Sequence, residues 1–494
     1  MPLPYVLAID QGTTGSRAIL YSNHGTIKGS AYKEFRQYYP QPGWVEHDAA
    51  EIVASIKHVI AEALRKANIS AKAIGAIGIT NQRETIVLWD RKSGTPLGRA
   101  VVWQDRRTEA LCHALRKEGY EDSVRQKTGL FFDPYFSGTK LRWSFDHEPG
   151  MKRKARSGAL CVGTVDSWLL ANLTGQSVHA TDYTNASRTL LFDIRRKKWD
   201  TDLLRIFHVP KSVLPVALPS NSRFGVTKNF APLPNGIPIH SLLGDQQAAL
   251  YGQSCYAPGT SKTTYGTGCF LLVNLGTRLV HSKSGLVTTI ACDHKGDPVY
   301  ALEASIFIGG AAIQWLRDGL KLIKRARETE AIARRTRDSG GVVVVPAFTG
   351  LGAPYWRPDV RGAIFGITRG TTREMVIKAT LDSIAFQVRE VFDLMCQEGG
   401  IGIQELKVDG GATRNAYLMQ LQSNLLAIPI LRARVGELTA WGVGRLAGLA
   451  SGVFKRMSIL DRKVRYERFT PKMSVPQRSE RIRQWQCAIR QLTA

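Results

Sequence analysis

Two patterns of apolar and polar residues recur along the chain. Apolar runs on both sides of the Gly/Thr segment 11–15, within residues 5–21, are typical of a β-hairpin. A second stretch of this kind, 262–275, has a glycine-containing turn at its centre. Residues 49–66 carry apolar side chains at helical spacing. The chain therefore twice places a strand–turn–strand unit ahead of helices.

The same patterns predict further elements, and in chain order these are strands 73–80 and 85–89, helix 305–320, strand 342–345, helix 373–395, strand 406–409 and helix 415–427. A hairpin at the head of each half, followed by helices, predicts two related α/β domains. We expect them to span residues 1–250 and 251–494. A chain of 494 residues is also too long for one hydrophobic core, which favours the same division.

The charge balance is strongly basic, with 67 Lys and Arg against 41 Asp and Glu. A net charge of +26 favours anionic ligands, which include nucleotides, nucleic acid and acidic membrane surfaces. Part of the excess lies in the tail 452–494, where basic residues greatly outnumber acidic ones. The simplest interpretation is a solvated basic surface, so charge alone identifies no partner.

Cysteine and histidine usage excludes two classes of site. The seven cysteines are scattered and form no C-x-x-C pair, which is typical of reduced thiols in a cytosol. The sequence contains no H-E-x-x-H motif and no Cys/His cluster, so it predicts no zinc site built from protein ligands.

The N-terminal residues lack the charged and apolar regions of a signal peptide, and no apolar stretch approaches the about 20 residues that a membrane-spanning helix needs. We expect a cytoplasmic protein.

Three turns that each follow a predicted strand have the composition of phosphate-binding loops. They contain Asp10 and the Gly/Thr residues after it, Gly266 to Gly268, and Gly410 with Gly411. Glycine permits close backbone approach to a phosphate, and an aspartate can hold Mg²⁺ through water. Neither a P-loop nor the protein-kinase motif set occurs. The turns therefore predict a different nucleotide-binding fold.

Six segments carry a resemblance to a known family, and they are 10–17, 78–84, 103–107, 244–250, 265–270 and 409–412. In order and spacing, from about residue 5 to about 455, they are similar to those of the glycerol kinases. These enzymes belong to the carbohydrate-kinase family with the actin/hexokinase/heat-shock ATPase fold. The resemblance implies an α/β protein with two actin-like (ribonuclease H-like) domains and an active site in the cleft between them.

The resemblance also implies an activity: phosphorylation of glycerol by ATP and Mg²⁺ to sn-glycerol 3-phosphate, the first step of glycerol catabolism. It further implies a homodimer or homotetramer with no dedicated nucleic-acid or membrane binding.

The resemblance assigns roles to individual residues. Asp245 is expected to act as the general base, and Asp10 and Asp245 are expected to hold the metal. The expected polyol-binding residues are Arg83, Glu84, Trp103, Tyr135, Asp245, Gln246 and Phe270. The expected nucleotide-binding residues are Thr13, Thr14, Gly15, Arg17, Thr267, Gly310, Gln314, Gly411 and Asn415.

One pair of these residues sets a structural condition. Arg83 and Glu84 are neighbours, and on a regular strand their side chains would point to opposite faces. Both can face one ligand only if the backbone becomes irregular where the strand ends.

The chain departs from the family pattern at several positions. Gly15 stands where the family usually has a hydroxyl residue, which removes one phosphate donor but leaves the turn intact. Arg357 replaces an aspartate, and Trp441 and Arg445 replace smaller or neutral residues. Residues 234–236 lack the arginine with which some relatives bind fructose 1,6-bisphosphate, so we expect no inhibition by that compound.

Two alternatives remain open at this point. The first keeps the fold and changes the acceptor to another polyol, a triose or a pentulose, against which Arg83, Glu84 and Trp103 argue. The second is a catalytically weak homologue that binds nucleic acid or membranes through its basic surface. The tail after residue 452 lacks the interleaved aromatic and glycine residues of a recognised nucleic-acid module.

Overall fold

The structure is a computed structural model that describes residues 3–357 and 359–494. Met1 and Pro2 of the N-terminal segment, and Pro358, lie outside the described residues.

The strands are, in chain order, β1 Tyr5–Gln11, β2 Gly15–Ser22, β3 Ile27–Glu34, β4 Glu46–His47, β5 Ile74–Asn81, β6 Ile86–Asp90, β7 Ala100–Val101, β8 Leu160–Thr164, β9 Ala180–Asp182, β10 Phe192–Asp193, β11 Lys198–Trp199, β12 Val216–Leu218, β13 Gly225–Val226, β14 Pro238–Gly244, β15 Ser261–Tyr265, β16 Cys269–Gly276, β17 Val287–Cys292, β18 Pro298–Ile306, β19 Val343–Val345, β20 Ala363–Phe365, β21 Leu406–Asp409, β22 Ile430–Ala433 and β23 Tyr466–Phe469. The α-helices are α1 Ala49–Ala67, α2 Glu109–Lys117, α3 Glu121–Thr128, α4 Ser137–His147, α5 Met151–Arg156, α6 Val165–Leu173, α7 Tyr183–Ala186, α8 Thr201–Ile206, α9 Asp245–Gly252, α10 Gly310–Gln314, α11 Glu328–Arg335, α12 Arg373–Gly399, α13 Ala416–Leu426, α14 Leu438–Ala450, α15 Met457–Asp461 and α16 Val475–Thr493. Short 3₁₀ helices are Ala71–Ala73, Lys211–Val213 and Gly411–Arg414, and Trp315–Gly319 is π-helical.

Two large sheets repeat one arrangement. The first has the order β13-β14-β5-β1-β2-β3, and the second has β23-β22-β21-β15-β16-β18 followed by β17. In each, an antiparallel hairpin (β1–β2 or β15–β16) lies beside a parallel strand (β5 or β21). The prediction of an α/β protein with two related halves is confirmed.

Helix α1 shows how the sequence pattern produces packing. Asp48 caps its N-terminus by accepting hydrogen bonds from the N–H groups of Ala50 and Glu51. Its apolar stripe, which includes Ile52, Ile56, Val59, Ile60 and Ala63, is buried against β2 and β3. The helix ends at Asn68, which adopts a left-handed conformation.

The predicted helix 305–320 is wrong in its first five residues. Ser305 and Ile306 belong to β18, where they pair with Phe270 and Cys269 of β16. The helix α10 begins only at Gly310, and its last turns widen into the π-helical segment. Apolar spacing alone cannot distinguish the end of a buried strand from the start of a helix that follows it closely.

Helix α14 packs across the two halves of the chain. It contacts β1, β5 and β14 of the first sheet and lies against α9. The two helices approach so closely that a Cβ on Gly442 would overlap the carbonyl oxygen of Ala248. The unusual Trp441 is buried in this core, with its ring centroid 5.1 Å from that of Tyr21.

Arg445 and Arg357, which also depart from the family pattern, are ion-paired. Arg445 is fully buried, contacts the carboxylate of Asp461 and donates to the hydroxyl of Ser254 at 3.0 Å. Arg357 pairs with Asp359 at 2.7 Å on the surface. These two arginines therefore have partners within this chain.

Among the described residues, no helix is both long and apolar enough to cross a membrane.

Candidate active site

Asp245 opens helix α9 directly after strand β14. Its side chain is 30% exposed, and its Oδ1 accepts a hydrogen bond from the N–H of Gln246 at 2.7 Å. Arg83 Nε lies 3.3 Å from the same oxygen. Burial raises the pKa of Asp245, while the positive charges of Arg83 and Lys262 act in the opposite direction. The result is a partly accessible carboxylate beside two cations.

Arg83 and Glu84 follow β5 in a short irregular segment. Glu84 has a φ of 63°, in the left-handed region that a β-branched or bulky residue rarely adopts. Both side chains are 1% exposed, and Arg83 Nε lies 3.8 Å from Glu84 Oε1. The irregular backbone that the sequence required is present, and both charges point into one interior cluster.

Two further charged residues complete this cluster, and sequence reasoning missed both. Glu303 of β18 accepts hydrogen bonds from Arg83 Nη1 at 2.6 Å and Nη2 at 2.7 Å. Arg188 donates to Glu84 Oε1 at 2.5 Å and to Glu303 Oε1 at 3.1 Å. We call Arg83, Glu84, Arg188 and Glu303 the buried charge cluster.

Electrostatics fix the ionisation of this cluster. Burial raises the pKa of Glu303, but Arg188 and Arg83 outweigh it and lower that pKa to about 2. A bidentate bond to Glu303 therefore holds the Arg83 guanidinium in one orientation. The signal that could have revealed Glu303 is its position as the single charge in the apolar strand β18.

Three aromatic residues line the space next to the cluster. The ring centroid of Trp103 lies 5.6 Å from that of Tyr135 and 6.4 Å from that of Phe270. The Tyr135 hydroxyl accepts from Arg83 Nη2 at 3.4 Å. Trp103 also donates its Nε1–H to Thr13 Oγ1 at 2.8 Å. Trp103 thus joins the predicted polyol-binding residues to the first phosphate-type turn.

Lys262 of β15 is a third residue that sequence reasoning missed. It is fully buried, donates to the side-chain oxygen of Gln246, and donates to Thr264 Oγ1 at 3.0 Å. Its Nζ also lies 3.4 Å from the carbonyl oxygen of Phe270. Burial lowers the pKa of Lys262 to about 8, against the opposing effect of nearby carboxylates. No sequence motif indicates that Lys262 is buried beside Gln246, because a lysine within a strand is usually a surface residue.

The first phosphate-type turn connects β1 to β2. Its backbone closes with a bond from the Gly12 N–H to the Gly15 carbonyl at 2.9 Å. Gln37 and Gln82 donate to the carbonyls of Thr13 and Gly12, at 3.0 Å and 3.2 Å. The two glutamine side chains therefore fix the backbone of the turn, while Thr14 stays exposed.

Asp10 and Arg17 lie opposite each other on β1 and β2 at the base of this turn. Burial raises the pKa of Asp10 to about 7, Arg17 opposes the shift, and the nearby charge of Asp245 adds to it. Two carboxylates that disfavour each other's ionisation gain from a cation between them. The described residues contain no group of three or more His, Cys, Asp or Glu side chains that could enclose a metal. Phosphate and water oxygens would have to complete a Mg²⁺ shell here.

The second phosphate-type turn, between β15 and β16, packs against the start of α10. The N–H groups of Gly309 and Ala311 donate to the Thr267 carbonyl at 2.8 Å and 3.0 Å, and that of Gly310 donates to Gly266 at 2.9 Å. A Cβ on Gly310 would lie 2.7 Å from the Gly266 oxygen. The glycines therefore permit a backbone-to-backbone contact, while Thr267 and Gln314 remain exposed.

The third turn follows β21, the parallel neighbour of β15. Gly410 has a φ of 95°, and a Cβ there would lie 2.7 Å from the carbonyl carbon of Tyr265. Gly411 is exposed, with open space where a Cβ would point. Asn415 caps α13 and donates to Thr329 Oγ1 at 3.1 Å. The second and third turns thus lie together at the ends of neighbouring strands.

Arg17 forms a separate link between the halves of the chain. Its guanidinium pairs with the carboxylate of Glu437, the residue that precedes α14. The predicted nucleotide-binding residues therefore fall into two groups. The first comprises Thr13 to Arg17 in the β1–β2 turn and the start of β2, and the second lies in turns and helix starts that follow strands of the second sheet.

Comparisons with known proteins match both halves of the chain. Residues 5–252 match the model of the N-terminal domain of the FGGY family of carbohydrate kinases, and residues 261–451 match the model of its C-terminal domain. Curated glycerol kinases are similar over almost the full length. That of Listeria monocytogenes is 50% identical over 491 residues, with 99% of each chain covered. That of Oceanobacillus iheyensis is 51% identical over 486 residues, with 98% of this chain and 97% of the relative covered.

Solved structures of carbohydrate kinases are similar to this chain over almost its full length. Glycerol kinase of Plasmodium falciparum with ADP superposes with a TM-score of 0.93 at 36% identity, over 99% of this chain and 98% of that one. A xylulose kinase of Lactobacillus acidophilus has a TM-score of 0.86 at 19% identity, over 99% of this chain and 98% of that one, which shows the shared fold alone.

Proposed function

This chain belongs to the FGGY family of carbohydrate kinases, and from that premise we propose that it transfers the terminal phosphoryl group of ATP to glycerol. The products are ADP and sn-glycerol 3-phosphate. The observation that carries the proposal is the convergence of Asp245, the buried charge cluster and the Trp103–Phe270 pair beside the first phosphate-type turn. Sequence identity of about 50% to glycerol kinases over the whole chain supports the choice of acceptor.

Glycerol recognition rests on directional polar groups. Arg83 donates to hydroxyls, Glu84 accepts from them, and Tyr135 and Gln246 supply a phenol hydroxyl and an amide. A site built this way rejects analogues that lack a hydroxyl, because its buried polar groups would lose their partners. Trp103 and Phe270 cover the carbon skeleton.

Asp245 acts as the general base in an in-line displacement. The attacking hydroxyl of glycerol passes its proton to the Asp245 carboxylate as its oxygen bonds to the γ-phosphorus. The bond from that phosphorus to the bridging oxygen breaks, and ADP leaves with the electron pair. Arg83 and Lys262 favour the ionised form of Asp245 before the transfer.

The nucleotide lies along the three turns. Thr13, Thr14 and Arg17 contact the transferred phosphate side, whereas Thr267, Gly310, Gln314, Gly411 and Asn415 contact the rest of the nucleotide. Asp10 and Asp245 would hold Mg²⁺ together with phosphate and water oxygens, and the ion would neutralise charge on the phosphates. Location in the cytoplasm and assembly as a homodimer or homotetramer remain predictions.

The test measures ADP release from Mg-ATP with and without glycerol, for the wild type, Asp245→Asn and the surface variant Asp318→Asn. We expect glycerol-dependent turnover that falls by about 10³-fold in Asp245→Asn, because a general base contributes about 10²–10⁴-fold. Asp318→Asn should match the wild type, since Asp318 lies on the surface beside Arg317. Full activity in Asp245→Asn would remove the assigned base, and turnover with another polyol, a triose or a pentulose in place of glycerol would change the acceptor.

A further inference from the structure

The face of the first sheet that carries Asp10 and Arg17 has a third member in the same row. Arg17 of β2 lies opposite Asp10 of β1 on one side and opposite Tyr32 of β3 on the other. Directly opposed residues in antiparallel strands place their side chains on the same face. Tyr32 therefore extends a row in which the first two residues belong to the proposed phosphate and metal site.

Tyr32 occupies the space that a side chain at position 15 would take. A Cβ on Gly15 would lie 2.6 Å from the Tyr32 hydroxyl, 2.7 Å from its Cζ and 2.7 Å from the carbonyl oxygen of Lys33. Gly15 itself is buried and offers no side-chain donor. The phenol hydroxyl thus stands where the hydroxyl of a serine at position 15 would otherwise be.

The surroundings of that hydroxyl suit an anion. Its closest side-chain partner is Thr14 Oγ1 at 3.4 Å, which is longer than an ordinary O–H···O hydrogen bond. The Arg17 guanidinium carbon lies 5.0 Å from the centroid of the Tyr32 ring, so a positive charge, which is also paired with the Glu437 carboxylate, is adjacent. Tyr32 is 46% exposed, so the residue lies at the protein surface.

We propose that Tyr32 is a nucleotide-binding residue, and that its hydroxyl donates a hydrogen bond to a phosphate of ATP at the first turn in place of a residue-15 side chain. The inference rests on the proposed function, because it takes the turn 12–15 as the phosphate site. Gly15 and Tyr32 then form a matched pair, in which the missing side chain of one makes room for the hydroxyl of the other.

The central test is Tyr32→Phe, which keeps the ring on Arg17 and removes only the hydroxyl. Calorimetry should show that ADP and ATP bind about tenfold more weakly, since a hydrogen bond to a charged group contributes about 1.5 kcal/mol or more. Adenosine, which lacks phosphates, should bind with unchanged affinity. Tyr39→Phe is the matched control, because Tyr39 is an exposed tyrosine outside the site.

A rescue experiment tests the pairing of the two positions. Gly15→Ser alone should weaken ADP binding, because the new side chain meets Tyr32. The double variant Gly15→Ser, Tyr32→Ala should bind ADP more tightly than Gly15→Ser alone, since it removes the side chain that the new residue meets, whereas the contact with the Lys33 carbonyl is common to both variants. Wild-type affinity for ADP in Tyr32→Phe, or equal losses for ADP and adenosine, would overturn the proposal. Because ADP binding is measured without turnover, a chain that binds ADP in this way but fails to phosphorylate glycerol would contradict only the proposed function.

Discussion

The polyol side and the phosphate side of the candidate site differ in which parts of the chain form them. The proposed polyol side contains charged side chains that bond to one another in the interior, and no side chain of the buried charge cluster exceeds 1% exposure. The phosphate side consists of glycine-containing turns with exposed residues such as Thr14, Thr267 and Gly411. On the proposed polyol side only side chains would recognise the ligand, whereas on the proposed phosphate side turn N–H groups would act together with side chains such as Thr14.

The difference suits the two ligands that we propose for the site. A polyol presents hydroxyls whose directions must be matched by fixed donors and acceptors, so each polar side chain needs its own support. A phosphate accepts from many directions, and backbone N–H groups in a turn can supply the donors if no Cβ blocks the approach. Mutations should therefore act through lost charge partners on the polyol side and through added atoms on the phosphate side.

The largest expected effect comes from breaking the buried charge cluster with Glu303→Gln. This change removes one of the two carboxylates that Arg83 and Arg188 share and leaves only Glu84 between the two buried arginines. Removing one partner of a buried ion pair typically costs about 3–5 kcal/mol. Urea denaturation should show a loss of that size, and kcat/KM for glycerol should fall because Arg83 is no longer held in place.

The matched control is Glu405→Gln, which breaks the exposed pair between Glu405 and Arg468. An exposed pair contributes about 0–1 kcal/mol, so stability and activity should barely change. Equal losses in the two variants would show that burial gives the cluster no special importance.

The second prediction adds atoms on the phosphate side with Gly410→Ala. The φ of 95° and the nearby backbone of Tyr265 leave no room for a Cβ. A strained backbone of this kind costs about 1–3 kcal/mol, and the shifted turn should weaken ATP binding while leaving glycerol binding intact. Calorimetry with each ligand separates the two effects. A variant that loses affinity for glycerol as strongly as for ATP would contradict the separation of the two sides.

The sequence predicts one of these sides better than the other. The phosphate-type turns are local features, since a strand followed by glycines lies within a few residues, and β1–β2, β15–β16 and β21 occur where the apolar pattern predicted strands. The buried charge cluster joins residues that are far apart, such as Arg83 and Glu303, which are 220 positions apart. No local pattern encodes such a pairing, so Glu303, Arg188 and Lys262 became visible only in the structure.

The packing of helix α14 is another long-range contact that the local sequence pattern does not predict. The predicted halves meet near residue 250, yet α14, from the second half of the chain, packs on strands β1, β5 and β14. Apolar periodicity indicates that a helix has a buried face, but it does not indicate which sheet covers that face.

The third prediction concerns Lys262, which lies between the two sides. Burial lowers its pKa to about 8, and the charged groups that act on it are Asp409, Glu303, Asp245 and Arg83. Lys262 is therefore charged below pH 8 and becomes neutral as the pH rises through that value. We expect kcat/KM to decline above pH 8, by up to about tenfold per pH unit, as the charge beside Asp245 is lost.

Lys262→Arg tests the origin of this decline. A guanidinium keeps its charge throughout the accessible pH range, so a variant that remains active should show a flat profile between pH 8 and pH 9.5. The same alkaline decline in both proteins would assign it to another group.

The smallest expected effect belongs to Gly411→Ala, one residue after the strained Gly410. Nothing lies within 4 Å of a Cβ at Gly411, and its backbone conformation suits any residue. Stability should therefore stay within about 0.5 kcal/mol of the wild type, as for other surface substitutions. Because Gly411 is proposed to contact the nucleotide, however, the added methyl group should raise KM for ATP severalfold without changing KM for glycerol. A melting temperature and a pair of KM values decide the point. An unchanged KM for ATP would mean that the third turn shapes the fold around Gly410 and leaves nucleotide contact to the second turn.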